Sequence, residues 1–190
     1  MARILLASGS PRRRDLLKMI APDFEVVSGK EVDETYPSDL NVYQVPSFLS
    51  QLKAQPYRDE LGPDDILITA DTVVILDDHI LGKPHSRAEA IEMLMSMQGK
   101  THIVVTGMTL TTATSSQTLS QETSVEFDRL TLAEVEYYVD TYRPYDKAGA
   151  YGIQEWIGAA AITGIRGSFY NVMGLPIHTL YKELHRRGVL

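Results

Sequence analysis

Two hydroxyls, a glycine and three guanidinium groups fall together near the start of the chain, in Ser8-Gly9-Ser10-Pro11-Arg12-Arg13-Arg14. Ser10 followed by Pro11 is an N-cap residue followed by proline at the first helical position, so the arginines occupy the first turn of a helix. The helix dipole is positive there, and each cation is unfavourable by roughly 0.3–1 kcal/mol unless an anion offsets it. Backbone N–H groups at a helix start, the hydroxyls of Ser8 and Ser10, and the planar fork of Arg13 together describe a phosphate site. The plainer alternative is a surface helix whose arginines face water. The flanking residues supply the frame: Ile4 to Ala7 is a short apolar run suited to a buried strand, and Leu16, Leu17 and Ile20 give the helix one apolar face.

Four further stretches hold residues that could act with this one. Glu31-Val32-Asp33-Glu34 places three carboxylates within four residues before a turn at Tyr36-Pro37, either a solvated acidic loop or a hard-metal site. Lys53 lies at the end of a helix expected over Val42 to Gln55, where a cation also suits the dipole. Asp71 stands alone in the apolar run Asp64 to Leu76. A buried carboxylate needs a partner, a metal, or a place at a strand end open to solvent, and ligands of α/β sheets bind at such ends. Lys83, between Gly82 and Pro84, is a stiffly held point charge suited to phosphate.

Composition narrows the classes. The chain has 190 residues, 44% of them hydrophobic, enough for a full core in a single domain over residues 1–190 that could comprise two lobes. Its longest apolar runs are far short of the ~20 residues of a spanning helix, and no signal peptide is evident, which predicts a cytoplasmic protein without a membrane partner. Zero cysteines exclude disulfides, thiolate metal sites and a cysteine nucleophile. A net charge of -7 argues against a nucleic-acid partner and favours a local basic pocket for a small anion.

The remaining elements follow from pattern. Phe24 to Ser28 reads as a strand, and Asp77-Asp78 as a hairpin tip returning through His79-Ile80-Leu81. Ser86-Arg87-Ala88-Glu89 and Thr131-Leu132-Ala133-Glu134 are capping boxes opening helices to Met97 and to about Tyr142, the methionines of the first serving as core. Thr101 to Thr112 and Thr118 to Phe127 form a long hairpin, in which His102 reads as a packed or hydrogen-bonded residue. Pro144 to Gln154, with two glycines and two tyrosines, predicts a structured loop with functional contacts. Ile157 to Ile165 reads as a strand, Gly167 to Pro176 as a turn-rich entry, and Ile177 to Arg187 as the last helix.

In combination these pieces resemble the Maf family of nucleoside triphosphate pyrophosphatases, or septum-formation proteins. The resemblance spans nearly the whole chain and rests on the order and spacing of Ala7-Ser8-Gly9-Ser10-Pro11-Arg12-Arg13, Val32-Asp33-Glu34, Leu52-Lys53-Ala54, Ala70-Asp71-Thr72-Val73-Val74, Gly82-Lys83-Pro84, His102 to Gly107, Asp146 to Gln154, and Asn171-Val172-Met173-Gly174-Leu175-Pro176. It implies an elongated mixed α/β fold with flanking helices, in two lobes around a cleft, and cleavage of a nucleoside triphosphate to monophosphate and pyrophosphate. On physical grounds, charge growing on the departing pyrophosphate calls for preplaced cations, for which Arg13, Lys53 and Lys83 are candidates beside Ser8 and Ser10. By the resemblance, Asp71 is the proton acceptor that activates water, though it could equally hold a metal. Magnesium or manganese would suit Glu34 and Asp71 with substrate phosphates.

Within that family, Arg12, Thr72 and Gln154 match the positions that distinguish the branch acting on dTTP and UTP. A carboxamide at Gln154 can donate to a carbonyl of uracil or thymine while accepting from the ring N–H. Three residues depart from the family pattern: Arg143 and Glu155, where glutamate before the proline and glycine after Gln154 are common, and Ser50, where alanine is usual. The alternatives are a pyrophosphatase for non-canonical purine triphosphates and a nucleotide-binding regulator of septum formation. A homodimer is admitted by the sequence but not specified by it.

Overall fold

Segments of three to twelve residues bounded by turn chemistry become strands, and amphipathic segments between them become helices. The computed structural model describes residues 2–190. Its strands are β1 (Arg3–Leu6), β2 (Phe24–Val26), β3 (Asp65–Leu76), β4 (His79–Leu81), β5 (Thr101–Thr111), β6 (Ser116–Phe127) and β7 (Ile162–Arg166). Its helices are α1 (Pro11–Lys18), α2 (Val45–Ala54), α3 (Arg87–Met97), α4 (Leu132–Tyr142), α5 (Trp156–Ala160), α6 (Phe169–Met173) and α7 (Ile177–Arg186), with 3-10 turns at Gln55–Glu60 and Ala148–Ala150. The seven strands form one mixed sheet in the order β2-β1-β3-β5-β6-β7, with β4 paired to β3. β1 runs parallel to β2 and to β3, whereas β4 and β7 pair antiparallel with β3 and β6. Among the described residues no helix is long and apolar enough to cross a membrane.

By its internal contacts the chain divides into two compact units. The first takes the chain up to Asp71, Thr106–Gln121 and Gly174–Leu190. Its core is built on the parallel strands, whose Leu6, Leu67 and Ile68 are fully buried together with Leu16 and Leu17 of α1, as expected for strands covered on both faces. Asp65 sets the register: Arg3 donates from Nε and a terminal nitrogen to its two oxygens at 2.8 Å each, directly across the β1–β3 pair. α2 lies against β5 closely enough that a Cβ on Gly107 would stand 2.4 Å from the backbone of Pro46 and Ser47.

The second unit comprises Thr72–Val105 and Glu122–Met173. Its core gathers Val74 and Leu76 of β3, Leu94 and Met97 of α3, Phe127 of β6, Val135, Tyr138 and Val139 of α4, and Ile153 and Ile157. Met97 is fully buried, as core filler. His102 of β5 is buried, packs edge-on against Phe127 and Tyr151, and pairs through Nε2 with the Tyr151 hydroxyl at 2.7 Å.

The structure corrects several boundaries. The strand expected over Ile157 to Ile165 is split into α5 and β7. Gly158 lies so close over the Ile153 carbonyl that any Cβ would overlap it, and Ala159-Ala160 continue a helical turn before the chain extends at Ile162. α2 starts at Val45 rather than Val42, because Asn41 forms a turn by accepting from Tyr43 N at 2.9 Å. α2 ends at Ala54, just before Pro56, which lies in the first turn of the 3-10 segment that follows. Thr131 and Glu134 form a complete capping box. Ser86 caps Glu89 N, but the Glu89 carboxylate reaches His85 N instead of closing the box. The turn-rich entry before α7 contains α6.

Two stability outcomes follow. Gly107→Ala must push α2 off β5, so we expect a loss of about 1–3 kcal/mol, read as a fall in thermal midpoint of roughly 2–4 °C per kcal/mol. Gly29→Ala, with nothing within 4 Å of an added Cβ, is the control and stays within about 0.5 kcal/mol. Burial lowers the His102 pKa to about 4. The unfolded chain, with an ordinary histidine near 6.5, therefore binds the proton first, and stability falls as pH drops from about 6.5 toward 4 at up to roughly 1.4 kcal/mol per unit. Chemical denaturation of His102→Gln across that window should show a shallower slope than the parent.

Candidate active site

The Ser8-Gly9-Ser10 turn leaves β1 and enters α1. Ser10 has extended backbone and caps α1, its hydroxyl accepting from Arg13 N at 3.5 Å, and Ser8 Oγ accepts from Ser10 N at 3.3 Å. The turn lies beyond the carboxyl ends of the parallel strands β1 and β2, where Ser8, Gly9, Arg14 and Val26 to Gly29 line an open depression of about 290 Å³. Outer carboxyl ends of parallel strands are the usual ligand position in α/β sheets.

Arg13 is more constrained than a surface arginine. Its Nε donates to the Gly174 carbonyl at 2.7 Å and Nη1 to the Ala70 carbonyl at 2.8 Å, so the guanidinium is fixed on the backbone next to Asp71. Burial depresses its pKa, while Asp71 and Glu34 act in the opposite direction and Arg12 adds to the depression. Arg12 is half-buried in the same turn.

Asp71 lies within β3 rather than at its end. Pairing with β1 ends at Leu6 opposite Ile68, so Asp71 is beyond the reach of the shorter strand. Its partner is Lys53 from the last turn of α2: Nζ lies 2.6 Å from Asp71 Oδ1 and 3.1 Å from Glu34 Oε2. Asp71 and Lys53 retain only 14% and 22% of their side-chain exposure, against 53% for Glu34, so the first two are the strongly coupled pair. The helix carrying Lys53 is tied to β3 and β5 by buried hydroxyls. Thr69 Oγ1 donates to the Ser50 carbonyl at 2.6 Å, and Ser50 Oγ lies 2.7 Å from Thr109 Oγ1. Ser50, one of the departures from the family pattern, is thus a buried hydrogen-bonding residue.

The carboxylates of Glu34 and Asp71 converge on one positive charge and are hard oxygen donors of the kind Mg²⁺ or Mn²⁺ accepts. Among the described residues no group of three or more His, Asp or Glu side chains could hold a metal. The pair therefore fits a divalent cation that arrives with other oxygen ligands, such as phosphates and water.

In the second unit, Thr72 is half-buried directly after Asp71, and Lys83 is exposed after β4 without an ion-pair partner among the described residues. Gly82 next to it accepts from Gly149 N at 3.0 Å. Gln154 is exposed, between buried Ile153 and half-buried Glu155. The structure joins Lys53, Asp71 and Glu34 directly and fixes Arg13 beside them. Ser8 and Ser10 share the turn that starts α1.

Sequence reasoning grouped Glu34 with Asp71 as metal ligands but paired neither with Lys53, because an ion pair between residues 18 apart leaves no periodic signal. It also missed a polar cluster in the loop after α4. Tyr138 donates to the Glu155 carboxylate, Lys147 Nζ lies 3.2 Å from Glu155 Oε1 and 2.8 Å from Asp146 Oδ1, and Gly152 N donates to Tyr138 Oη at 3.0 Å. The adjacent Asp146 and Lys147 and the unusual glutamate at 155 were the signals for it.

The family model described as Maf-like protein matches residues 3–187. A dTTP/UTP pyrophosphatase from Bacteroides thetaiotaomicron is 50% identical over 184 residues, covering 97% of this chain and 95% of the relative. A dTTP/UTP pyrophosphatase from Porphyromonas gingivalis is 48% identical over 188 residues, covering 98% and 94%. A HAM1 protein from Coxiella burnetii aligns at 13% identity with a TM-score of 0.46 over 68% of this chain and 75% of that one, too distant to bear on fold or activity. With the family model spanning nearly all of its length and relatives near half identity end to end, the chain belongs to the Maf-like protein family.

Proposed function

We propose that the protein is a nucleoside triphosphate pyrophosphatase that hydrolyses dTTP and UTP to the monophosphate and pyrophosphate, clearing them from the cytoplasmic nucleotide pool. The observation that supports the chemistry best is the Lys53–Asp71 pair, a carboxylate and a cation 2.6 Å apart, next to the Ala70 carbonyl that holds Arg13. The nucleobase preference follows the two relatives at 48–50% identity named dTTP/UTP pyrophosphatase.

The roles divide by chemistry. Ser8 and Ser10, with backbone N–H groups at the start of α1, cradle phosphate oxygens, and Arg13, already oriented by two carbonyls, adds positive charge without reorganising. Lys53 is shared: alone it neutralises Asp71 and Glu34, and when phosphate oxygens draw it away the Asp71 carboxylate is freed to accept the proton of the attacking water. Lys83 supplies a further cation for the leaving pyrophosphate. A divalent metal, Mg²⁺ or Mn²⁺, would be held by Glu34 and Asp71 and would contribute neutralisation of phosphate charge. Arg12 and Thr72 act in substrate choice, and Gln154 reads the base edge.

A panel of nucleoside triphosphates with Mg²⁺ or Mn²⁺, followed by release of pyrophosphate and monophosphate, tests the proposal. Preferential cleavage of dTTP and UTP is expected; preference for ITP or XTP would overturn the pyrimidine assignment, and no cleavage would turn the reading to a nucleotide-binding regulator. Asp71→Asn should lower kcat by at least about 10²-fold while nucleotide binding by calorimetry persists. Near-normal turnover in that variant would remove Asp71 from the mechanism. Gln154→Ala should weaken cleavage of dTTP and UTP by more than it slows other triphosphates, and an equal loss across the panel would end its role as base reader.

A further inference from the structure

Glu155 is held as a surface carboxylate is not. The hydroxyl of Tyr138, a wholly buried residue, donates to Oε2, and the buried Lys147 lies 3.2 Å from Oε1. The same Tyr138 oxygen accepts from Gly152 N at 3.0 Å. The backbone before Gln154 and the side chain after it are therefore tied to one phenol. Trp156 stacks over Tyr138 and Tyr137 meets its edge, which closes the apolar side of the cluster.

The fixed carboxylate and the Gln154 amide both lie over Gly152. A Cβ on Gly152 would stand 3.0 Å from Glu155 Cδ, 3.1 Å from Glu155 Oε2 and 3.1 Å from Gln154 Nε2. The amide nitrogen thus lies over Gly152 on the side of a pinned negative charge. A carboxylate attracts the NH₂ end of an amide and repels its carbonyl. The end left for a ligand is Oε1, with the outer N–H beside it. Uracil and thymine present a ring N–H flanked by carbonyls, which that end matches. Cytosine presents a ring acceptor beside an exocyclic donor, which calls for the opposite orientation.

We propose that Glu155, clamped by Tyr138 and Lys147, is a specificity-positioning residue that orients the Gln154 carboxamide toward bases bearing a ring N–H and against cytosine. The inference rests on the reading of Gln154 as the base contact. It adds the group that sets the amide's direction.

The experiment is a double-mutant cycle on kcat/KM for UTP and CTP, with the parent, Glu155→Gln, Gln154→Ala and the double variant compared. Glu155→Gln keeps an acceptor for Tyr138, and Asp146 still faces Lys147, so the fold is retained; thermal midpoints check this. The UTP-to-CTP ratio is expected to fall about tenfold in Glu155→Gln, mainly through KM, and the double variant to fall no further than Gln154→Ala alone. Gly152→Ala, which crowds both groups without removing either, should lower the same ratio. An unchanged ratio in Glu155→Gln and Gly152→Ala while Gln154→Ala loses it would overturn the role of Glu155. Equal losses for both nucleotides, or additive effects in the double variant, would also overturn it. An unchanged ratio in Gln154→Ala would instead overturn the reading of Gln154 on which the inference stands.

Discussion

A carboxylate set into an apolar strand is the constraint from which the first unit follows. β3 places Asp71 among buried valines and isoleucines, where an unpaired charge costs several kcal/mol. Lys53 provides the compensation from the end of α2, so that helix must be fixed in both height and rotation. Gly107 lets it approach β5 at backbone contact, and the buried hydroxyls of Thr69, Ser50 and Thr109 lock it at the turn before Lys53. The ion pair is thus the end of a chain of packing requirements. Because its charge is shared with Glu34 on an exposed segment, it is also the part of the unit that an incoming anion can most easily rearrange.

The start of α1 meets the same need from another direction. Three arginines at the positive end of a helix dipole are mutually unfavourable, and Arg13 is drawn inward by the carbonyls of Ala70 and Gly174 and the field of Asp71. It ties together the backbone around Asp71, and it leaves an oriented charge just after the Ser8-Gly9-Ser10 turn. A guanidinium whose orientation is fixed before the reaction stabilises developing charge without reorganisation, which is where electrostatic catalysis gains most.

The second unit solves a different problem. Its loop after α4 sets a buried lysine and two carboxylates against the buried Tyr138 of that helix, a set that is stable only when every member is satisfied. Tyr138 satisfies Gly152 N and Glu155 at once, and Lys147 neutralises Glu155 and Asp146. The ties this gives a loop rich in glycine suit the base-reading role proposed for Gln154, since an unconstrained glutamine presents donor and acceptor interchangeably.

Much of this was written locally in the sequence. The strand, serine turn and capped helix from Ile4 to Ile20, the complete capping box at Thr131, the long hairpin and the buried methionines all follow from apolar period and cap chemistry acting over a few residues. The same local logic failed at Ile157 to Ile165, where an apolar run is equally compatible with helix and strand and the close packing of Gly158 on Ile153 decided between them. The types and spacing of Ser8, Ser10, Arg13, Lys53 and Asp71 marked them as chemistry-bearing residues, because charges and hydroxyls in apolar or dipole-opposed places require an explanation. Their pairing was decided only by tertiary structure: that Lys53 bridges Asp71 and Glu34, that Arg13 is held by carbonyls far along the chain, and that Glu155 is clamped by Tyr138. A residue's chemistry is local, but the partner that sets its charge and direction is chosen by the packing of elements distant in sequence.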